Sequence, residues 1–291
     1  MATATLPAST RPAVGRPVRA SRFRPGNIGI AAVAWLAGLF FFFPVLWMFL
    51  TGFKQEAQAS TDPPTFFFAP TLDQYRAVLG RDFAPYFLNS LSASVGSTLL
   101  VILLATPAAY ALSIAVIPRW RDSLFFFMST RMLPAVASIL PLYIISRNLG
   151  VLDNINALAV IYTVMNLPIA VWMIRSFLLE VPTEVLEAAR LDGASLYVEI
   201  RRIIFPMIAP GLAATALICF IFAWNEFFFA VTLTATQAAT VPVFLVGFIT
   251  SEGLFWARLS AASTMAVLPV ILAGWVAQKW LVRGLSLGAV K

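Results

Sequence analysis

The feature that most constrains this chain is a series of six long apolar runs, at about residues 28–53, 87–115, 123–146, 157–174, 207–233 and 259–282. A helix rises about 1.5 Å per residue, so about 20 apolar residues cross the hydrocarbon core of a bilayer. All six runs therefore read as membrane spans. Composition agrees: 60% of the 291 residues are hydrophobic and 11% are charged, against about 25% charged in a soluble domain. The expected fold is an all-α integral membrane protein with six transmembrane helices. Prolines inside the runs (Pro107, Pro134, Pro141, Pro168, Pro269) are tolerable, because neighbouring helices can satisfy the carbonyls they free.

Residues 1–26 are rich in Ala, Pro, Arg, Ser and Thr and read as a disordered tail; residues 27–291 read as one transmembrane domain. The first run is longer than the apolar core of about 7–15 residues in a cleaved signal peptide. Six spans put both ends of the chain on one side. Most of the 20 Lys and Arg fall in the N-terminal tail, the 116–122 loop, the polar segment 175–206 and the C-terminal tail. The opposite loops hold Lys54, Arg76, Arg81, Arg147 and Arg258. The positive-inside rule then places both termini and segment 175–206 in the cytoplasm, with the protein in the plasma membrane. The net charge of +7 reflects this distribution, and no nucleic-acid partner is expected. On the far side, Leu72, Tyr75 and Leu79 recur at helical spacing, and Thr234 to Arg258 reads as a loop.

The segment 175–206 is the charged exception in a greasy chain. It carries Glu180, Glu184, Glu187, Arg190, Asp192, Glu199, Arg201 and Arg202. Its chemistry reads as helix, turn, helix. Thr183 can cap the first helix, with Glu184 at the positive dipole end. Gly193 suits a left-handed helix stop, and Ser195 can start a second helix that enters the membrane near Pro206. Ala188 and Ala189 beside Glu187 keep one face small enough for another surface to come close. On the residues alone, an ordinary amphipathic connector fits as well as a docking element.

Other chemistry is thinly supplied. No Gly-x-x-x-x-Gly-Lys-Ser/Thr run occurs, so no phosphate cradle is expected. There is no His, and the one Cys, Cys219, lies in an apolar run. No catalytic, cofactor-binding or metal residue is expected, and Cys219 reads as a small packing residue. Arg131 and Glu226 are ionisable residues within spans, each needing a partner or water. Their depths differ by about 16 Å, too far for a mutual pair. Glu226 reads as the outer mouth of a polar cavity, beside Trp224 and Asn225. Asn166, next to Pro168, is a second polar point. These four make a candidate substrate path, while satisfying nearby backbone is the plainer role for each. Trp172 and Trp256 offer flat faces on which a ring can stack.

Glu187-Ala188-Ala189, with Asp192, Gly193, Ala194, Ile203 and Pro206, resembles the EAA loop in membrane subunits of ATP-binding-cassette importers. Ala223-Trp-Asn-Glu-Phe227 and the tail Gln278–Lys291 resemble the smaller six-span permease of the maltose-type carbohydrate family. Ser129-Thr-Arg-Met-Leu-Pro134 is similar to the sorbitol/mannitol polyol branch. The resemblance implies the type I importer permease fold and a sugar or polyol cargo. It implies that Glu187, Ala188, Ala189, Asp192, Gly193, Ala194 and Pro206 couple the chain to an ATPase. The implied partners are a second permease subunit, two ATPase subunits that use ATP and Mg, a substrate-binding protein outside, and membrane lipid. Thr234 to Arg258 would reach into the binding protein. An ion-driven secondary transporter, a membrane enzyme and a purely structural subunit are the rival readings.

Overall fold

The computed structural model describes residues 25–288 apart from Val116 and Glu252; the tail expected at 1–26 lies outside that range but for its last two residues. In chain order the helices are α1 (Pro25–Thr51), α2 (Glu56–Ala59), α3 (Asp73–Leu79), α4 (Phe83–Ala111), α5 (Trp120–Arg131), α6 (Ala135–Asn148), α7 (Ile155–Leu178), α8 (Thr183–Leu191), α9 (Leu196–Val198), a π-helical turn (Glu199–Ile204), α10 (Phe205–Trp224), α11 (Phe228–Leu233), α12 (Val241–Val246) and α13 (Trp256–Gly288). Five stretches are long and apolar enough to cross a membrane, or six if α5 and α6 count as one span.

The chain divides into two compact units, Met1–Trp47 and Met48–Lys291. What is described of the first is most of α1, a helix apolar on every side, the pattern of a segment with no aqueous face. In the second unit, Val101, Ala105 and Ala109 of α4, Ala170, Val171, Ile174 and Leu178 of α7, and Ile208 and Cys219 of α10 form one buried cluster. Small residues matter here because lipid tails are as apolar as Leu, so helices associate by close fit. A close fit lies at Gly211 of α10, where an added Cβ would overlap the Phe177 ring on α7. A second cluster joins Phe220 and Trp224 of α10 to Val241 and Phe244 of α12 and Ala261, Ala262 and Ala266 of α13.

Several expected spans are redrawn. The run at 123–146 is not one rod: α5 and α6 meet at 88° across the break at Met132–Pro134. Pro134 has no N–H to continue the ladder and its ring disfavours the helical conformation at Leu133. The fifth run stops at Trp224 instead of continuing to residue 233, because polar Asn225 and Glu226 occupy a break before α11. That span also starts early, since the chain is helical from Leu196 through the π turn into α10. Residues 175–178 likewise belong to α7, so the polar connector is shorter than 175–206. The last helix spans Trp256–Gly288 and includes Arg283, where a tail was expected.

The stretch 234–258 is more ordered than a loop. It holds α12 and an antiparallel hairpin of β1 (Ile249–Thr250) and β2 (Gly253–Leu254). Helix α3 forms at the expected place, but it buries Gln74 and Val78 while Leu72 and Leu79 stay exposed. Tyr75 packs on Phe53, ring centroids 4.9 Å apart.

Candidate functional site

Helix α8 is short because its sequence ends it firmly. Gly193 takes φ +80°, a conformation that costs glycine no Cβ clash. Its N–H donates to the Arg190 carbonyl at 3.1 Å, and the Ala194 N–H donates to the Ala189 carbonyl at 3.0 Å. That pair of bonds is a Schellman stop. The start differs from expectation: Pro182 is the cap residue, and Thr183 is the first helical residue with no side-chain capping bond. Ser195 does precede the next helix, but through its carbonyl, which accepts from the Glu199 N–H at 2.9 Å.

The helix has two unlike faces. Leu186 is buried, as is Val181 just before the helix. Glu187, Ala188, Asp192 and Gly193 are exposed, and Ala189 and Ala194 are half-buried. Pro206 is also exposed, but it lies in the first turn of α10, beyond the π turn. The expected docking residues thus form a contiguous ridge from Glu187 to Ala194, with Pro206 apart from it in the chain.

Behind this ridge sits an arrangement that sequence reading missed. Glu199 is 2% exposed. Arg190 Nε donates to Glu199 Oε2 at 2.9 Å, and Arg190 Nη2 donates to Oε1 at 2.9 Å. The Tyr110 hydroxyl, from α4, donates to Oε1 at 3.1 Å. The hydrogen bonds to Glu199 push the Arg190 guanidinium above its already high range. Only one signal in the sequence pointed here: Glu199 is an acid at the edge of an apolar run, where an unpaired charge is costly.

At the other end of the helices, carboxylates hold loops together. Asp153, just before α7, accepts from the backbone N–H groups of Ala235, Thr236, Gln237 and Ala238 at 2.8–3.2 Å. Partial burial pushes this carboxyl up, but the four backbone donors outweigh it and hold it well below the usual carboxylate range. Glu56 accepts from the Ala257 and Arg258 N–H groups at 2.9 and 3.3 Å, at the positive end of α13.

The candidate substrate path is mostly committed to backbone. Asn166 is fully buried, and its Nδ2 donates to the Cys219 carbonyl at 3.4 Å. Trp224 is buried, with its indole N–H on the Ala266 carbonyl at 3.1 Å. Glu226 accepts from the Phe229 and Ala230 N–H groups at 2.9 and 3.2 Å, so its carboxylate caps α11. Asn225 donates to the Ile221 carbonyl at 2.8 Å and is the exposed member of the four. Arg131 does not meet Glu226; its Nη1 donates to the Met165 carbonyl of α7 at 2.9 Å. Trp172 and Trp256 are each about half exposed.

With this geometry in place, comparison with known proteins gives a family. Residues 102–287 match the family described as the binding-protein-dependent transport system inner membrane component. A probable ABC transporter permease protein of Sinorhizobium fredii is 37% identical over 252 residues, covering 86% of this chain and 91% of that one. The trehalose transport system permease protein of Mycobacterium tuberculosis is 32% identical over 253 residues, covering 85% and 92%. Among solved structures, a bacterial ABC transporter involved in the import of the acidic polysaccharide alginate superposes with a TM-score of 0.72 at 23% identity, covering 90% of this chain and all of that one. A helical chain with these spans and a short polar helix between the fourth and fifth is thus a transporter's membrane component. The chain belongs to the inner membrane components of binding-protein-dependent transport systems, the ABC importer permeases. It is a multi-pass membrane protein with the ABC importer permease fold, and its family is a transport component and not an ATPase.

Proposed function

We propose that this chain is one of two permease subunits in a carbohydrate importer, and that α8 is where an ATPase subunit grips it. The observation that carries the reading is the ridge Glu187–Ala194, small at Ala188, exposed and charged at Glu187 and Asp192, and ended by the left-handed Gly193. A face of this shape admits another backbone closely and offers it a charge. The ridge lies on the cytoplasmic side on the charge distribution of the loops.

In this reading two partner ATPase subunits bind and hydrolyse ATP with Mg, and a binding protein outside delivers the cargo. Closing the ATPase pair favours one arrangement of the spans only through contacts that differ between states, and the ridge is where that difference is felt. The ordered segment 234–258, held by Asp153 and Glu56, faces the binding protein. Carbohydrate as the cargo class rests on relatives named for the transport of trehalose, of diacetylchitobiose and of trehalose/maltose. Asn225 is the polar path residue with an exposed amide to offer a hydroxyl, and Trp172 and Trp256 offer half-exposed faces for sugar rings. Asn166, Trp224 and Glu226 support the path through their backbone bonds.

Proteoliposomes test the whole reading. Uptake of a sugar or polyol from a panel should require ATP inside, the ATPase subunits, the second permease and the binding protein, and should vanish when any one is omitted. Uptake by this chain alone, driven by an ion gradient, would contradict it.

A further inference from the structure

Beyond the exposed ridge, the last turn of α8 holds a half-exposed guanidinium on a buried carboxylate, an ionic knot. Building on the reading that α8 receives the ATPase, we propose that Arg190, Glu199 and Tyr110 are positioning residues that make α8, the π turn and α4 move as one body. The three side chains come from three separate elements. Arg190 lies in the last turn of α8, Glu199 is the first residue of the π turn that leads into α10, and Tyr110 is at the end of α4. Arg190 and Tyr110 converge on the Glu199 carboxylate, with three donor atoms at 2.9, 2.9 and 3.1 Å.

A docking helix that is merely packed would slide when pushed. Apolar contacts are non-directional and tolerate small displacements at little cost. A guanidinium fork on a carboxylate fixes orientation as well as distance. The carboxylate is almost wholly buried, so separating it from its donors leaves a charge without water or partner, which is strongly unfavourable. The knot therefore stays closed while its surroundings move, and a push on the Glu187–Ala194 ridge reaches two spans at once. Apolar residues of similar volume would serve stability about as well; what the ions add is a set angle between α8 and the spans. The π turn adds a second reason to look here. Such wide turns are rare and recur at functional positions, and this one starts at the anchored residue.

The test uses the complete complex in proteoliposomes and reads ATP hydrolysed per substrate imported. This ratio separates transmission from folding, because a complex that is only less abundant loses both activities in step. Arg190→Gln and Glu199→Gln are expected to raise the ratio about tenfold, the size of an ordinary coupling between sites. Tyr110→Phe, which removes one hydroxyl and keeps the ring, should raise it about threefold, as the loss of one hydrogen bond gives. Arg190→Lys keeps the charge without the fork and should fall between the wild type and Arg190→Gln. A ratio that stays at the wild-type value in these variants overturns the proposal, whether uptake is normal or falls together with hydrolysis. If Arg190→Gln does not accumulate in the membrane, Tyr110→Phe decides by the same ratio. Absence of ATP-dependent uptake in the unaltered complex would instead count against the permease reading on which this one rests.

Discussion

Replacing Gly193 by proline is expected to abolish uptake while the protein still reaches the membrane. The backbone there has φ +80°, and proline holds φ near about −65°. Proline also lacks the N–H that donates to the Arg190 carbonyl. Both changes unmake the stop of α8 and turn the ridge away from its partner. Insertion should survive, because a Cβ at Gly193 meets nothing within 4 Å and the turn lies outside the apolar clusters. Gly193→Ala isolates the backbone cost, about 1–2 kcal/mol for a left-handed residue with a Cβ, and should weaken uptake without ending it. Glu187→Lys approaches the same face by charge. Glu187 is exposed and takes part in no ion pair among the described residues, so reversing it should leave the fold intact and uptake lost. Labelled-substrate uptake, normalised to the amount of protein in the membrane, measures all three. Normal transport by Gly193→Pro or Glu187→Lys would contradict a docking role for α8.

Enlarging Gly211 should have the largest effect on the bundle itself. A leucine there has no place to go, because the first added carbon already overlaps the Phe177 ring. Overpacking of this kind costs about 1–3 kcal/mol and at times more, and here it falls where α7 and α10 are in contact. Gly211→Leu is expected not to accumulate, and Gly211→Ala to unfold in detergent at a lower temperature than the wild type. Phe177→Ala should restore much of the loss in the Gly211→Ala background, since it removes the clashing ring. Equal unfolding temperatures for Gly211→Ala and the wild type would mean that the ring moves aside freely and the close approach is unimportant.

The spans were legible because their signal is long and local. A run such as 157–174 needs only hydropathy to be placed, and α7 is found there with an extra turn at its C-terminal end. The bends were harder. Nothing in the hydropathy of residues 123–146 separates one straight rod from two arms at 88°. Pro134 marked the place, but Pro107 and Pro168 sit inside helices that continue, so a proline alone does not decide. Polar residues split the same way. The ridge on α8 could be read because its residues are consecutive and Gly193 announces its end. The Glu199 knot and the Asp153 clasp could not, since Tyr110 and Glu199 are 89 residues apart and Asp153 reaches 82 to 85 residues along the chain. At Glu226 the plainer of the two roles is the one seen: the chain breaks there and the carboxylate caps α11.

The most direct test of the account asks which side of the membrane α8 faces and whether an ATPase covers it. Single cysteines at Asp192 and Ser251, in a Cys219→Ala background, would be exposed to a membrane-impermeant maleimide in vesicles of known sidedness. The expected result is labelling of Ser251→Cys from the outside only. Asp192→Cys should label from the inside only and be protected when the ATPase subunits are added. Labelling of Asp192→Cys from the outside, or equal labelling with and without the ATPase, would contradict the claim that α8 is the grip through which ATP drives this permease.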